Sequence, residues 1–325
     1  MKWEVSVIGP LNIDLLINGE GPKNWEAIPT WDGPAAMEMT AAGSVGYTVR
    51  DLARLGLRVR VTSCVSDDSL GTFITDTLQR EGVNTIGVRR VPGTLAGIGV
   101  YALLFGSRKR PLIYRMPTHD PWPRELNAMD IDDLLDARLL LGGGYLHFQQ
   151  MWHANTVILF QEAKRRGLTT VLDPQFPLFN LETPWIKAMQ DLLPYIDLLL
   201  CDENEALHST NASELDQAAE IFLKHGPRMV VIKQGAQGVT VYQAGYRFHQ
   251  GAIYLGEVVD TIGAGDAFDA GFTFGLLRGW PLERCALFAS VAAGKTVTGV
   301  GGSETMPSAV QVEEIIRKRG LERRI

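Results

Sequence analysis

The chain alternates apolar runs of strand length with longer stretches whose apolar residues recur at helical spacing. Residues 4 to 9, EVSVIG, predict a short buried strand, and residues 57 to 65 predict another. Between them Val45, Val49 and Leu52 sit four and three apart, which predicts a helix that Gly56 can terminate. Further strands are predicted near 138 to 141, 145 to 148, 169 to 172, 196 to 201 and 228 to 233, with helices between them. Asp67 or Asp68 is placed to cap a helix running to about Glu81, and Ser213-Glu214-Leu215-Asp216 forms a loose capping box for a helix ending at Gly226-Pro227. This β-α-β alternation predicts an α/β fold. Two segments interrupt it. Residues 15 to 40 have no clean period and contain Pro22, Pro29 and Pro34, with Leu15–Ile17 and Met37–Thr40 as strand candidates; residues 95 to 116 hold two strand-like runs around a basic turn.

Residues 257 to 280, EVVDTIGAGDAFDAGFTFGLLRGW, read as a loop opening a buried helix, since the twelve residues after Asp266 are apolar or glycine except for Asp269, Thr273 and Arg278. Gly263 and Gly265 let the backbone approach a ligand closely, and the unpaired N–H groups of a helix's first turn attract an anion. A carboxylate repels a resting anion, so Asp266 needs a separate task. In phosphoryl transfer to an alcohol that task is general base, while backbone N–H groups and Mg²⁺ hold the charge on the moving group. The competing reading is a GAGD turn that merely caps a core helix.

Composition narrows the field. With 325 residues, 46% of them hydrophobic and 21% charged, the chain can bury the core of one large domain. A net charge of −6 argues against a nucleic-acid surface, so an anionic nucleotide must be held locally. Cys64, Cys201 and Cys285 are far apart and form no Cys-x-x-Cys pair, which fits a reducing cytoplasm. Glu4 and Asp14 interrupt what would be a signal peptide's apolar core, and no 18-residue apolar run occurs, so neither secretion nor a membrane span is expected. Ala292-Ala293-Gly294-Lys295-Thr296 is not read as a phosphate-binding loop, because position 289 is Ala and the context is mid-helix.

Asp260-Thr261-Ile262-Gly263-Ala264-Gly265-Asp266 resembles the C-terminal signature of the ribokinase family, the pfkB-type carbohydrate kinases. Weaker matches extend over nearly the whole chain. The resemblance implies a ribokinase-like three-layer α/β sandwich over residues 1 to 325, with a central mostly parallel sheet. A small β-sheet lid would come from about 15–40 and 95–116. It implies Asp266 as base and Gly263, Ala264 and Gly265 as the anion hole. Gly9, Asn12 and Asp14 match the family's Gly-x-x-Asn-x-Asp, whose Asp binds substrate hydroxyls. Gly43 survives from the Gly-Gly-x-x-x-Asn motif near the sugar, whereas Ala42 and Tyr47 stand for its first Gly and its Asn. Asp67-Asp68-Ser69-Leu70-Gly71 and Val171-Leu172-Asp173-Pro174-Gln175 are similar to further family turns.

Asp202-Glu203-Asn204-Glu205 resembles Asn-x-x-Glu, whose Glu organises Mg²⁺ largely through water; a solvated helix start is the alternative. Lys233, Gly235 and Gly238 correspond to a stretch beside the nucleotide, and Gly301 and Thr305 to the last loop. Asp260, Gly301 and Thr305 would then lie near a monovalent cation such as K⁺. The implied reaction is transfer of the ATP γ-phosphoryl group to an exocyclic CH₂OH of a sugar. A nucleoside kinase is an alternative, from Tyr47, Trp25 and Trp31; a phosphosugar kinase another, from Arg108, Lys109, Arg110 and Arg115. A regulator that has kept the fold without turnover is the third. Dimerisation through the lid is common in such kinases, and no residue here decides it.

Overall fold

The computed structural model describes residues 1–19, 22, 24–32, 35–102, 113–122 and 126–321. The strands are β1 (Trp3–Ile8), β2 (Asn12–Gly19), β3 (Ala35–Ala42), β4 (Val59–Ser66), β5 (Asn84–Val91), β6 (Ile98–Ala102), β7 (Ile113–Arg115), β8 (Ala137–Gly143), β9 (Thr169–Asp173), β10 (Leu198–Asp202), β11 (Met229–Lys233), β12 (Val239–Gln243) and β13 (Tyr246–Gln250). The helices are α1 (Gly46–Arg54), α2 (Ser69–Arg80), α3 (Ala128–Leu134), α4 (Ala154–Arg165), α5 (Ile186–Met189), α6 (Glu203–Thr210), α7 (Leu215–Lys224), α8 (Ala264–Leu277), α9 (Leu282–Thr296) and α10 (Ala309–Lys318).

Among the described residues a nine-stranded sheet runs β13-β12-β11-β10-β9-β8-β1-β4-β5, parallel except where β12 pairs antiparallel with both neighbours. Its central strands read as unbroken apolar runs because both faces are covered. Leu198 and Leu200 of β10 join the core beneath α1, α2, α8, α9 and α10, whereas Leu199 and Cys201 point into the opposite core with α4, α6 and α7. The period of two thus divides one apolar run between two helical layers. A separate four-stranded sheet, β3-β2-β6-β7, joins the two segments that interrupt the main alternation. The basic turn with Arg108, Lys109 and Arg110 lies outside the described residues.

Two local expectations change and a third is narrowed. Residues 145–148 form no strand: Gly144 at φ +73° turns the chain away, and the Leu146 amide donates to Pro174 O at 2.8 Å. The run is apolar because Tyr145, Leu146 and Phe148 are buried, and a four-residue apolar run does not specify its backbone. The N-cap of α7 is Glu214, without a side-chain bond, so Ser213 caps nothing. Of the two aspartates before α2, Asp68 is the cap, accepting from Leu70 N and Gly71 N at 3.0 Å. The partly exposed edge strand β5 and the β12–β13 hairpin have no counterpart in the sequence reading.

α8 is apolar almost all round because α9 lies hard against it. A Cβ on Gly271 would meet Ala289 Cα at 2.8 Å, and one on Gly275 would meet Cys285 Sγ at 2.7 Å. That contact aims the N-terminus of α8 at the C-terminal ends of the parallel strands, where α/β proteins bind ligands.

Candidate active site

The sharp turn before α8 depends on Gly263, at φ +73° in the left-handed region. A Cβ there would meet Gly302 Cα at 3.0 Å. Gly263 is the N-cap and supplies no side-chain acceptor, and Ala264 N donates to Thr261 O at 3.3 Å; a helix start of this kind suits an outside anion. Asp266 projects from that turn and accepts from Thr48 Oγ1 at 2.5 Å. Burial pushes its pKa up to about 6; the Thr48 bond pulls it down, Asp173 pushes it up and Lys233 pulls it down.

The neighbouring residue of α1 holds the second carboxylate. Tyr47 donates its hydroxyl to Asp14 Oδ2 at 3.0 Å, and its ring packs against Gly263 and Gly302. Asp14, 5% exposed, is pushed up to about 7 by burial, with Tyr47 opposing and the charge of Asp266 adding. One turn of α1 therefore positions both Asp14 and Asp266. Tyr47 stands where the family has Asn and here anchors Asp14; its ring is buried rather than presented for stacking. Asn12 Nδ2 donates to Tyr114 Oη at 2.6 Å, tying β2 to β7 within the small sheet. Gly43, at φ +93°, lets the chain pass Asn12: a Cβ would lie 2.6 Å from Asn12 N.

At the end of β10, Asp202 and Glu205 form a reciprocal capping box on α6, with Asp202 N donating to Glu205 Oε2 at 2.7 Å and Glu205 N to Asp202 Oδ1 at 2.9 Å. Each carboxylate uses one oxygen there. The other suits a hydrated Mg²⁺, a hard cation that takes oxygen ligands and keeps much of its water. Burial raises Glu205 to about 8, with Asp202 and Asp173 adding and Lys233 opposing. Among the described residues no group of three His, Cys, Asp or Glu is arranged to enclose a metal.

Lys233, expected beside the nucleotide, is paired within the protein. Its ammonium donates to Asp269 Oδ2 and Oδ1 at 2.8 and 3.0 Å and lies 3.8 Å from Asp173 Oδ2. Gly235 and Gly238 both have positive φ in the turn beyond it. Asp260 accepts from Ile262 N at 2.9 Å and Gly301 N at 3.2 Å, joining the loop before α8 to the last loop; Thr305 Oγ1 donates to Thr296 O at 2.6 Å. Arg115 donates to Ala96 O; the side chain of Trp25 lies outside the described residues, and Trp31 is half-buried.

Thr48, Asp173, Asp269 and Arg50 escaped the sequence reading as site residues. Arg50 is fully buried and donates to Glu81, Glu304, Thr40 and Ala41 O, linking α1 to β3, α2 and the last loop. The available signals were a lone Asp269 in an apolar helix, three residues after Asp266, and an arginine on a buried helix face.

A 5-dehydro-2-deoxygluconokinase from Geobacillus kaustophilus is 26% identical over 288 residues, covering 85% of this chain and 84% of the relative. Among solved structures, an Escherichia coli protein provisionally named ribokinase II, in complex with ATP and Mg²⁺, superposes with a TM-score of 0.79 at 23% identity, covering 97% of this chain and 99% of that one. Arabidopsis thaliana ribokinase complexed with ribose and ATP gives 0.78 at 24% identity, with the same coverage. At these identities the structures establish the ribokinase-like fold. The profile described as pfkB family carbohydrate kinase matches residues 3–309, a span that includes Asp14, Tyr47, Glu205 and the Gly263–Asp266 turn, and the chain therefore belongs to that family of kinases.

Proposed function

We propose that the chain transfers the γ-phosphoryl group of ATP to an exocyclic CH₂OH of a sugar, with Asp266 as general base and the first turn of α8 as the anion hole. One observation carries the reading: a half-buried helix N-terminus without a side-chain cap bears a carboxylate raised to about 6 and held by Thr48, while the adjacent Tyr47 holds Asp14. Asp14 accepts substrate hydroxyl hydrogen bonds, with Asn12 and Tyr47 beside it and Gly43 shaping the loop. Asp266 takes the proton of the attacking hydroxyl, and the amides of Gly263, Ala264 and Gly265 hold charge on the transferring group. Mg²⁺, organised by Glu205 and Asp202 through water, would neutralise nucleotide charge.

The small sheet, built from strands of both segments, about 15–40 and 95–116, serves as a lid and excludes water during transfer. A monovalent cation such as K⁺ beside Asp260, Gly301 and Thr305 belongs to the same proposal; replacing K⁺ by tetramethylammonium should then lower the rate. So does a homodimer through the lid, whose strands expose Met37, Met39 and Ile113. Among the described residues no helix is long and apolar enough to cross a membrane, and a cytoplasmic location is proposed on the three buried free cysteines.

The test is ADP release with Mg·ATP across pentoses, ketohexoses, sugar acids including 5-dehydro-2-deoxygluconate, phosphosugars and nucleosides, with Asp266→Asn as blank. A substrate-dependent rate absent from the variant supports the reading. Equal rates in both proteins would refute Asp266 as base.

A further inference from the structure

Lys233 and Asp269 form an ion pair directly beneath the anion hole that the phosphoryl-transfer chemistry above does not use. Asp269 follows Asp266 by three residues on α8, so the two lie on one helix face, and helical side chains lean toward the N-terminus. The ammonium that Asp269 holds is thereby carried under the first turn: the place where a Gly265 Cβ would sit is 3.6 Å from Lys233 Nζ. Asp173, at the end of β9, closes the other side at 3.8 Å. The Asp269 side chain is 1% exposed and the Lys233 side chain 15%.

We propose that Lys233 is a positioning residue for the transfer, a fixed internal cation that keeps Asp266 ionised and adds positive charge behind the Gly263–Gly265 amides. The inference rests on the reading of Asp266 as base. Carboxylates crowd this end of the sheet. Asp266 is faced by Thr48 and Asp51 of α1, Asp14 of β2, Tyr101 of β6, Asp173 of β9 and Lys233 of β11, so Lys233 is the cation among them. Burial alone would lower the pKa of Lys233, but Asp173, Asp269 and Glu205 together hold it well above the ordinary lysine value, and the charge is permanent across the working range. A free lysine would fold onto the nucleotide or out to solvent. A lysine clamped at two carboxylates contributes a charge whose position needs no reorganisation during the reaction, the condition under which electrostatic stabilisation is most effective.

The test reads the Asp266 carboxyl directly. Protein labelled with ¹³C at aspartate carboxyls is titrated as wild type, Lys233→Met and Lys233→Arg, with Asp266→Asn assigning the resonance. The wild-type midpoint is expected near 6. Lys233→Met should raise it by about one unit, the lower end of the shift from a charge at close range, and Lys233→Arg should restore it. An unchanged midpoint in Lys233→Met, or an equal rise in Lys233→Arg, overturns the proposal. If Lys233→Met does not fold, Lys233→Gln removes the charge while keeping a donor to Asp269, and carries the same measurement. The acid limb of kcat/KM then separates the two ideas: a carboxyl midpoint that moves while the limb stays shows that Lys233 sets the ionisation of Asp266 but removes Asp266 as base, and with it the role of Lys233 in the transfer.

Discussion

Replacing Asp14 by Asn should stabilise the ligand-free protein, and by an amount that grows with pH. Burial raises Asp14 from the ordinary 3.8 to about 7, so the folded state holds this proton more tightly than the unfolded chain does. A carboxyl raised in this way supports folding fully below about pH 4, and that support is lost as pH rises through 7. Three units at about 1.4 kcal/mol each make the ionised carboxylate cost the fold about 4 kcal/mol at pH 8. About 3 kcal/mol of that accrues between pH 5 and pH 8. Asn is neutral throughout and still accepts from the Tyr47 hydroxyl, which donates to Oδ2 in the wild type. Urea unfolding of both proteins at pH 5, 6.5 and 8 should show the variant's advantage widening by about 3 kcal/mol over that range. A difference that stays constant with pH would mean that Asp14 titrates as an exposed aspartate and would refute the account of its burial. The same variant should bind substrate more weakly, since the second carboxylate oxygen is the acceptor it loses.

Asp266→Asn should keep the fold and raise its stability at neutral pH, since burial raises this carboxyl too, and should lower kcat by roughly 10² to 10⁴, the usual span for loss of a general base; near-normal turnover would remove the mechanism. The pH profile of kcat/KM should fall on the acid side with a midpoint near 6, because Asp266 is active ionised and protonates as pH drops. Gly263→Ala should cost about 1–2 kcal/mol by forcing a Cβ into the left-handed region, measurable by denaturant unfolding, and should weaken nucleotide binding by displacing the first turn of α8. Glu81→Gln should cost roughly 2 kcal/mol, since the fully buried Arg50 guanidinium loses charge-assisted bonds from Nε and Nη2; a neutral result would show that Glu304 alone satisfies it.

Arg50 marks a place where local pattern and tertiary environment part. On α1 it follows Tyr47 and Thr48 on a helix whose spacing was legible from Val45, Val49 and Leu52, and an arginine there reads as solvent-facing. The fold brings Glu81, Glu304 and the β3 backbone around it, and only those partners make burial tolerable. Lys233 shows the same limit. The sequence places a cation at a strand end near glycines, but Asp269 is 36 residues away, and their pairing depends on α8 packing over β11.

By itself the sequence determined the α/β alternation, because strands buried on two faces must be continuously apolar and helices must repeat near 3.6 residues. It also determined the glycine turn with Asp266, because backbone freedom and a carboxylate at one helix start are local properties. Tertiary structure alone decided what each charge does: that Tyr47 and Thr48 hold separate carboxylates, that Asp202 and Glu205 cap one another, and that Lys233 is clamped beneath the turn. Electrostatic roles depend on distance and desolvation, and both are set by contacts between residues far apart in the chain.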